Sequence, residues 1–191
     1  MMLTSRFETA LIYAFRTHSG QKRKGTEIPY ISHLLSVSAL VMEAGGTEDE
    51  VIAALLHDAV EDQGGLERLE EIRAQFGANV AIIVEGCTDS FETPKPEWWE
   101  RKRWYLEHLP EANPSVLLVS VADKLHNSRC ILKDYRELGE ALWGRFNAGK
   151  EGTLWYYREL VTAYQKAEAP HKLVAELDRV VAEIERLSQI K

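Results

Sequence analysis

The chain has 191 residues, 45% hydrophobic and 28% charged, with a formal net charge of −7. These proportions fit one soluble globular domain over residues 1–191 and exclude a disordered chain, and the acidic balance works against general attraction to nucleic acid or anionic membranes. Cys87 and Cys130 form no metal-like pair and suit a reducing compartment; no apolar run reaches the ~18 residues that span a bilayer; and Arg6, Glu8 and Arg16 make the first twenty residues unlike a signal peptide, so a cytoplasmic location is expected.

In chain order nearly every segment reads as helix, and the fold class expected is all-α. Ser5 with Glu8 has capping-box spacing and opens a helix over 5–18, with Gly20 as its stop. The basic run Lys22-Arg23-Lys24, followed by Gly25, leads to Pro29-Tyr30 and a helix over 30–44 that carries His33. Gly45-Gly46 ends that helix, and Thr47 with Glu50 repeats the capping-box spacing ahead of a helix over 48–62. Further helices are expected over 66–76, 78–88, 97–109, 114–137, 150–167 and 170–189. Gly77 separates the first two of these, Pro94 and Pro96 break the chain before the third, and Asn113-Pro114 is an N-cap and N1 pair for the fourth. Gly139 to Gly152 is the longest irregular connection. The last helix carries an apolar stripe of Leu173, Val174, Leu177, Val180, Val181, Ile184 and Leu187, which is core packing or a surface for a homo-oligomer.

The densest chemistry lies in His57-Asp58-Ala59-Val60-Glu61-Asp62, with His33 upstream and Asp123 downstream. On a continuous helix His57 sits over Glu61 and Asp58 over Asp62. An apolar run from Val51 to Leu56 precedes them, so the carboxylates are expected to be partly buried, and burying them without compensation is costly. A divalent cation would offset the repulsion. Imidazole with carboxylate oxygens suits first-row ions such as Mn²⁺, Fe²⁺, Co²⁺, Ni²⁺ or Zn²⁺, and the lack of cysteine ligands argues against a closed structural zinc site. Four ligands from His33, His57, Asp58 and Asp123 leave room for water, which Glu61 or Asp62 could orient or deprotonate. In an acidic protein an anionic ligand needs local cations, and Lys22-Arg23-Lys24 stands just ahead of His33. Trp98, Trp99, Trp104, Trp155, Tyr156 and Tyr157 read mainly as core, with Trp155 and Tyr156 candidates for a base pocket. His18, His108, His126 and His171 are not needed as ligands and read as partly exposed structural residues, with His126 the exception to watch because it neighbours the site in sequence.

Pro29-Tyr30-Ile31-Ser32-His33, Ala53 through Asp62, Thr88-Asp89 and Val121-Ala122-Asp123-Lys124-Leu125-His126-Asn127 occur in that order. This series resembles the HD superfamily of metal-dependent phosphohydrolases, and within it the hydrolase domain of RelA/SpoT proteins and the free-standing small alarmone hydrolases. The resemblance spans about Arg16 to Arg129. It implies an HD-domain helical bundle of roughly eight to ten helices that holds Mn²⁺ through His33, His57, Asp58 and Asp123. Glu61 and Asp62 fall on the family's catalytic pair, while Arg23, Lys24, Lys95, Lys124, Asn127 and Lys150 fall on substrate contacts. The reaction implied is removal of the 3′-pyrophosphate from guanosine tetra- or pentaphosphate. The alternatives are a related HD phosphohydrolase acting on another nucleotide, such as an NADPH 2′-phosphatase or a nucleotidase, and a nucleotide-binding module without catalysis.

Overall fold

The computed structural model describes residues 2–90 and 96–189, so Lys95 lies outside the described residues. The described residues form ten α-helices: α1 (Ser5–Thr17), α2 (Ile31–Glu43), α3 (Glu48–Leu56), α4 (Ala59–Asp62), α5 (Gly65–Phe76), α6 (Ala78–Cys87), α7 (Trp98–His108), α8 (Pro114–Leu138), α9 (Gly149–Lys166) and α10 (His171–Gln189). Short 3₁₀ segments cover Leu109–Glu111 and Gly139–Arg145. Extended pairing among the described residues is limited to one antiparallel bridge, Lys22 with Pro29.

The helix α3 is the axis of the core. Its Val51-Ile52-Ala53-Ala54-Leu55-Leu56 run is fully buried, because α1, α2, α6 and α8 all pack on it. Removing each of its larger aliphatic side chains from water is worth about 1.5–3 kcal/mol. At the N-terminus of α3, Thr47 and Glu50 form the reciprocal capping box. The expected box at Ser5 is not formed: Thr4 is the N-cap, and its side chain accepts from the Arg6 N–H. Asn113 caps α8, with Pro114 in its first turn.

Two further sequence expectations change. The single helix over 48–62 is interrupted at His57 and Asp58, and the chain resumes as the four-residue α4. Part of the connection from Gly139 is ordered as 3₁₀ turns, with Leu142 and Trp143 buried against Ile131, Tyr135 and Ile184. The apolar stripe of α10 is used inside this chain: Leu173, Val174, Leu177, Val181 and Ile184 are buried, with α10 lying against α8 and α9.

Candidate active site

His57 is the C-cap of α3. The last turn of a helix leaves carbonyls without intrahelical partners, and His57 Nδ1 donates to one of them, Ala54 O, at 2.8 Å. In the neutral ring this leaves the lone pair on Nε2. Nε2 is buried and has no hydrogen-bond partner, yet it lies 3.1 Å from Asp58 Oδ2 and 3.6 Å from Asp123 Oδ1.

His33 enters from the first turn of α2 and repeats the arrangement. Its Nε2 stands 3.1 Å from Asp123 Oδ1 and 3.4 Å from Asp58 Oδ2, while its Nδ1 meets His126 Nδ1 at 2.7 Å. The ligand atoms of His33, His57 and Asp58 lie within 4.8 Å of one another, and the distances from both imidazoles bring Asp123 to the same point. Two imidazole lone pairs aimed at two carboxylates repel unless a positive charge lies between them. Burial opposes charge on His57, but the Asp58 and Asp123 carboxylates hold its pKa well above the ordinary value. The same burial raises Asp58 and Asp123, and the facing imidazoles, joined at Asp123 by Lys124, pull both well below the carboxylate range. The donor set therefore fits a divalent metal, with the Nε2 atoms and carboxylate oxygens as ligands and the Nδ1 atoms held by outer partners.

The outer partners of Asp123 come from its own helix. Lys124 Nζ donates to Oδ2 and Asn127 Nδ2 to Oδ1, each at 2.6 Å. Arg23 Nη2 donates to Asn127 Oδ1 at 2.5 Å, which joins the basic segment to the cluster. Burial works against the Lys124 ammonium, but Asp123 outweighs it and holds that pKa well above the usual value. On the other side, Tyr30 donates its phenol proton to Asp58 Oδ2 at 2.7 Å. The Tyr30 ring stacks on His18 and receives Arg23 at 5.5 Å from its centroid.

The Lys22–Lys24 run sits on a strap closed by Arg23 N–H to Ile28 O and Tyr30 N–H to Gln21 O. Gly25 turns the strap with φ +72°, and an added Cβ there would meet Arg145 Cδ at 2.8 Å. The strap forms one wall of a 530 Å³ cavity that Arg23, Lys24, Tyr30, His126, Asn127 and Tyr157 help to line. Glu61 and Asp62 follow the cluster on α4. Gln21 Nε2 donates to Asp62 Oδ2 at 2.8 Å, and Gln21 Oε1 accepts from Gln63 Nε2 at the same distance and from His18 Nδ1 at 2.7 Å.

Comparison with known proteins adds the family. The profile of the HD domain matches residues 10–154. This chain belongs to the HD-domain family. The HD domain is 43% identical over 120 residues to the protein named guanosine-3′,5′-bis(diphosphate) 3′-pyrophosphohydrolase MESH1 of Xenopus tropicalis, a match covering 61% of this chain and 64% of that protein. Its identity to MESH1 of Homo sapiens is 42% over the same shares. The chain thus spans a little under two thirds of these relatives. Among solved structures, one described as a metazoan ortholog of SpoT that hydrolyzes ppGpp matches with a TM-score of 0.76 and 30% identity, covering 94% of this chain and 96% of that one. The lmo0812 protein of Listeria monocytogenes EGD-e matches at 0.69 and 31%, covering 80% and 97%.

Not every expected contact faces the cavity of this HD domain. Lys150 donates to Glu140 Oε1 at 2.9 Å and to Ser188 O at 2.7 Å, and so ties the start of α9 to the end of α10. Lys124 is engaged by Asp123, whereas Asn127 both holds Asp123 and lines the cavity. In the aromatic group it is Tyr157, not Trp155 or Tyr156, that lines the cavity; Trp155 packs on Trp99, and Tyr156 is buried. His18 is buried at 3% exposure and serves the Gln21 relay. The sequence does not single out Gln21, and it marks Tyr30 only as part of the Pro29–His33 motif, with no contact assigned to it. Lys102 was also missed. In sequence it is one cation of an Arg-Lys-Arg run, but its ammonium donates to Asp89 Oδ2 at 2.6 Å and lies 4.9 Å from the Tyr156 ring centroid.

No helix of the described residues is long and apolar enough to cross a membrane.

Proposed function

We propose that this HD domain is a Mn²⁺-dependent hydrolase of guanosine 3′,5′-bis(diphosphate) and its pentaphosphate, releasing pyrophosphate from the 3′ position to leave GDP or GTP. His33, His57, Asp58 and Asp123 are the proposed metal ligands, and residues 1–191 are read as one functional domain. The observation that carries this reading is the pair of fixed Nε2 lone pairs facing two carboxylates beside a cation-lined cavity. The names borne by the relatives agree with it.

A divalent cation at this point supplies Lewis acidity and makes water a nucleophile near neutral pH. Glu61 and Asp62 orient the attacking water and take its proton. Gln21 holds one Asp62 oxygen and so fixes the direction of that carboxylate. Arg23 and Lys24 meet the negative charge of the substrate where the strap overhangs the cluster, as charge-assisted contacts to phosphate require. Tyr30 and Asn127 hold the ligand carboxylates so that neither turns to the incoming phosphates. The substrate is a small nucleotide.

A panel of guanosine tetraphosphate, guanosine pentaphosphate, NADPH and nucleoside mono- and triphosphates, each with Mn²⁺, tests the assignment. Turnover of the two guanosine polyphosphates, abolished by Glu61→Gln, is the expected result. Turnover of NADPH or of a simple nucleotide in their place would reassign the substrate.

A further inference from the structure

Three side chains converge on the amide of Gln21, at the base of the strap. Its Oε1 accepts from His18 Nδ1 at 2.7 Å and from Gln63 Nε2 at 2.8 Å, while its Nε2 donates to Asp62 Oδ2 at 2.8 Å. Turned end for end, the same amide would set its oxygen against the Asp62 carboxylate and its N–H groups against two donors. Its direction therefore depends on which neighbours donate to the oxygen. Gln63 is itself an amide and can present either end. His18 is more constrained: it is the C-cap of α1, its carbonyl accepts from the Gln21 backbone N–H at 3.1 Å, and its buried ring stacks on Tyr30 with 14° between the planes.

The proton of His18 is confined to one nitrogen. Nε2 is buried and has no hydrogen-bond partner among the described residues. A proton on Nε2 would be a buried donor without an acceptor, which is costly, and would leave the Nδ1 lone pair facing the Gln21 oxygen. A proton on Nδ1 makes the contact instead. Burial lowers the pKa of His18, against the Gln21 hydrogen bond and the Asp58 and Asp62 carboxylates, so the ring is neutral at pH 7 and holds a single proton.

We propose that His18 is a positioning residue for Asp62: its Nδ1–H fixes the Gln21 amide with the N–H groups toward Asp62, and so aims that carboxylate at the attacking water. This rests on the hydrolase reading above and adds to it a residue that acts through Gln21, not on the substrate. Without the donor on His18 the amide is free to turn, and Asp62 then meets an oxygen and swings away. The His18 ring also backs Tyr30, which donates to Asp58 Oδ2, so the two duties have to be separated. His18→Phe keeps a ring against Tyr30 and deletes the donor, at no cost on the Nε2 side, where no partner is lost. His18→Asn keeps a donor near the place of Nδ1 and deletes the ring.

The test compares these variants of the full-length protein, with Mn²⁺ and guanosine 3′,5′-bis(diphosphate), against Gln21→Leu and the double variant His18→Phe with Gln21→Leu. His18→Phe is expected to lower kcat by about 10–100-fold, the usual scale for losing an outer partner or a fixed geometry, with KM and Mn²⁺ affinity unchanged. His18→Asn should recover most of that kcat. Gln21→Leu should match His18→Phe, and the double variant should fall no further, because the two residues act in one chain. A kcat unmoved by His18→Phe, equal losses in His18→Phe and His18→Asn, or additive losses in the double variant overturns the proposal. Nitrogen-15 spectra of the histidine rings, with diamagnetic Zn²⁺ in place of Mn²⁺, read the contact without turnover. His18 is expected to carry its proton on Nδ1, and a proton on Nε2 overturns the proposal even in an active enzyme. The Nδ1–H form in a wild type that does not hydrolyse the nucleotide supports the contact with Gln21 and removes the hydrolase reading.

Discussion

His33 Nδ1 and His126 Nδ1 lie 2.7 Å apart, with the two rings tilted by 42°. Only one of the two nitrogens can carry a proton. With His33 Nε2 turned to the Asp58 and Asp123 oxygens, the proton belongs on His33 Nδ1, and His126 accepts it. His126 is suited to that role, since burial and the neighbouring His33 and Arg23 press its pKa down to about 4.

His126→Leu removes the acceptor and leaves His33 free to turn. Outer partners of metal-bound histidines are typically worth 10–100-fold in metal affinity, so Mn²⁺ affinity measured by calorimetry should fall by about that factor, and His126→Asn should recover part of it. Unchanged affinity in His126→Leu would show that the pair does not orient His33.

The cluster and the acidic pair should separate under mutation. Asp123→Ala removes a ligand and strands Lys124 without its carboxylate, so bound metal and activity should be lost together. Asp62→Asn keeps its contact with Gln21 and should retain the metal while losing turnover. Metal analysis of the purified variants beside rate measurements checks this, and equal loss of metal in both would collapse the division of roles.

Lys102 gives a pH prediction. Burial, with Lys124 and Arg101 nearby, lowers its pKa to about 7. Below pH 7 the ammonium is charged in both folded and unfolded states, and the full burial cost is present. From pH 7 to about 10.5 the folded state binds fewer protons than the unfolded one, so this group's contribution to stability rises with pH. Lys102→Met should therefore raise the melting temperature most at pH 6–7, with the advantage shrinking toward pH 10.5. A pH-independent difference would mean that the Asp89 ion pair, not burial, governs Lys102.

The close approach of α6 to α8 depends on Gly86, where an added Cβ would meet Val116 Cγ2 at 2.6 Å. Overpacking of this kind typically costs 1–3 kcal/mol. Gly86→Ala should lower stability in denaturant melts by about that amount, and Gly86→Ala with Val116→Ala should recover much of it.

The sequence revealed the helical class because its caps and glycine stops are local, and the convergence of His33, His57, Asp58 and Asp123 was legible from their order and residue types. The break at His57 was not. Ala53 to Val60 contains no glycine or proline, and the interruption accompanies a ring-to-carbonyl contact with Ala54 that periodicity does not report. Contacts across the fold were equally silent: Tyr30 to Asp58, Gln21 to Asp62, and Arg145 against Gly25 join residues 28, 41 and 120 positions apart. Lys150 and Lys102 illustrate how a cation's role depends on its partners. Residue type and position make Lys150 available for substrate, whereas in the fold it is bound to Glu140 and Ser188. Lys102 stands among charged neighbours in the chain, yet its ammonium is enclosed beside Asp89.

The central claim is most directly tested by product analysis of guanosine 3′,5′-bis(diphosphate) incubated with the full chain and Mn²⁺. The account predicts pyrophosphate and GDP in equal amounts, and neither with Glu61→Gln. Inorganic phosphate as the product, or pyrophosphate release no higher than with Glu61→Gln, would contradict it.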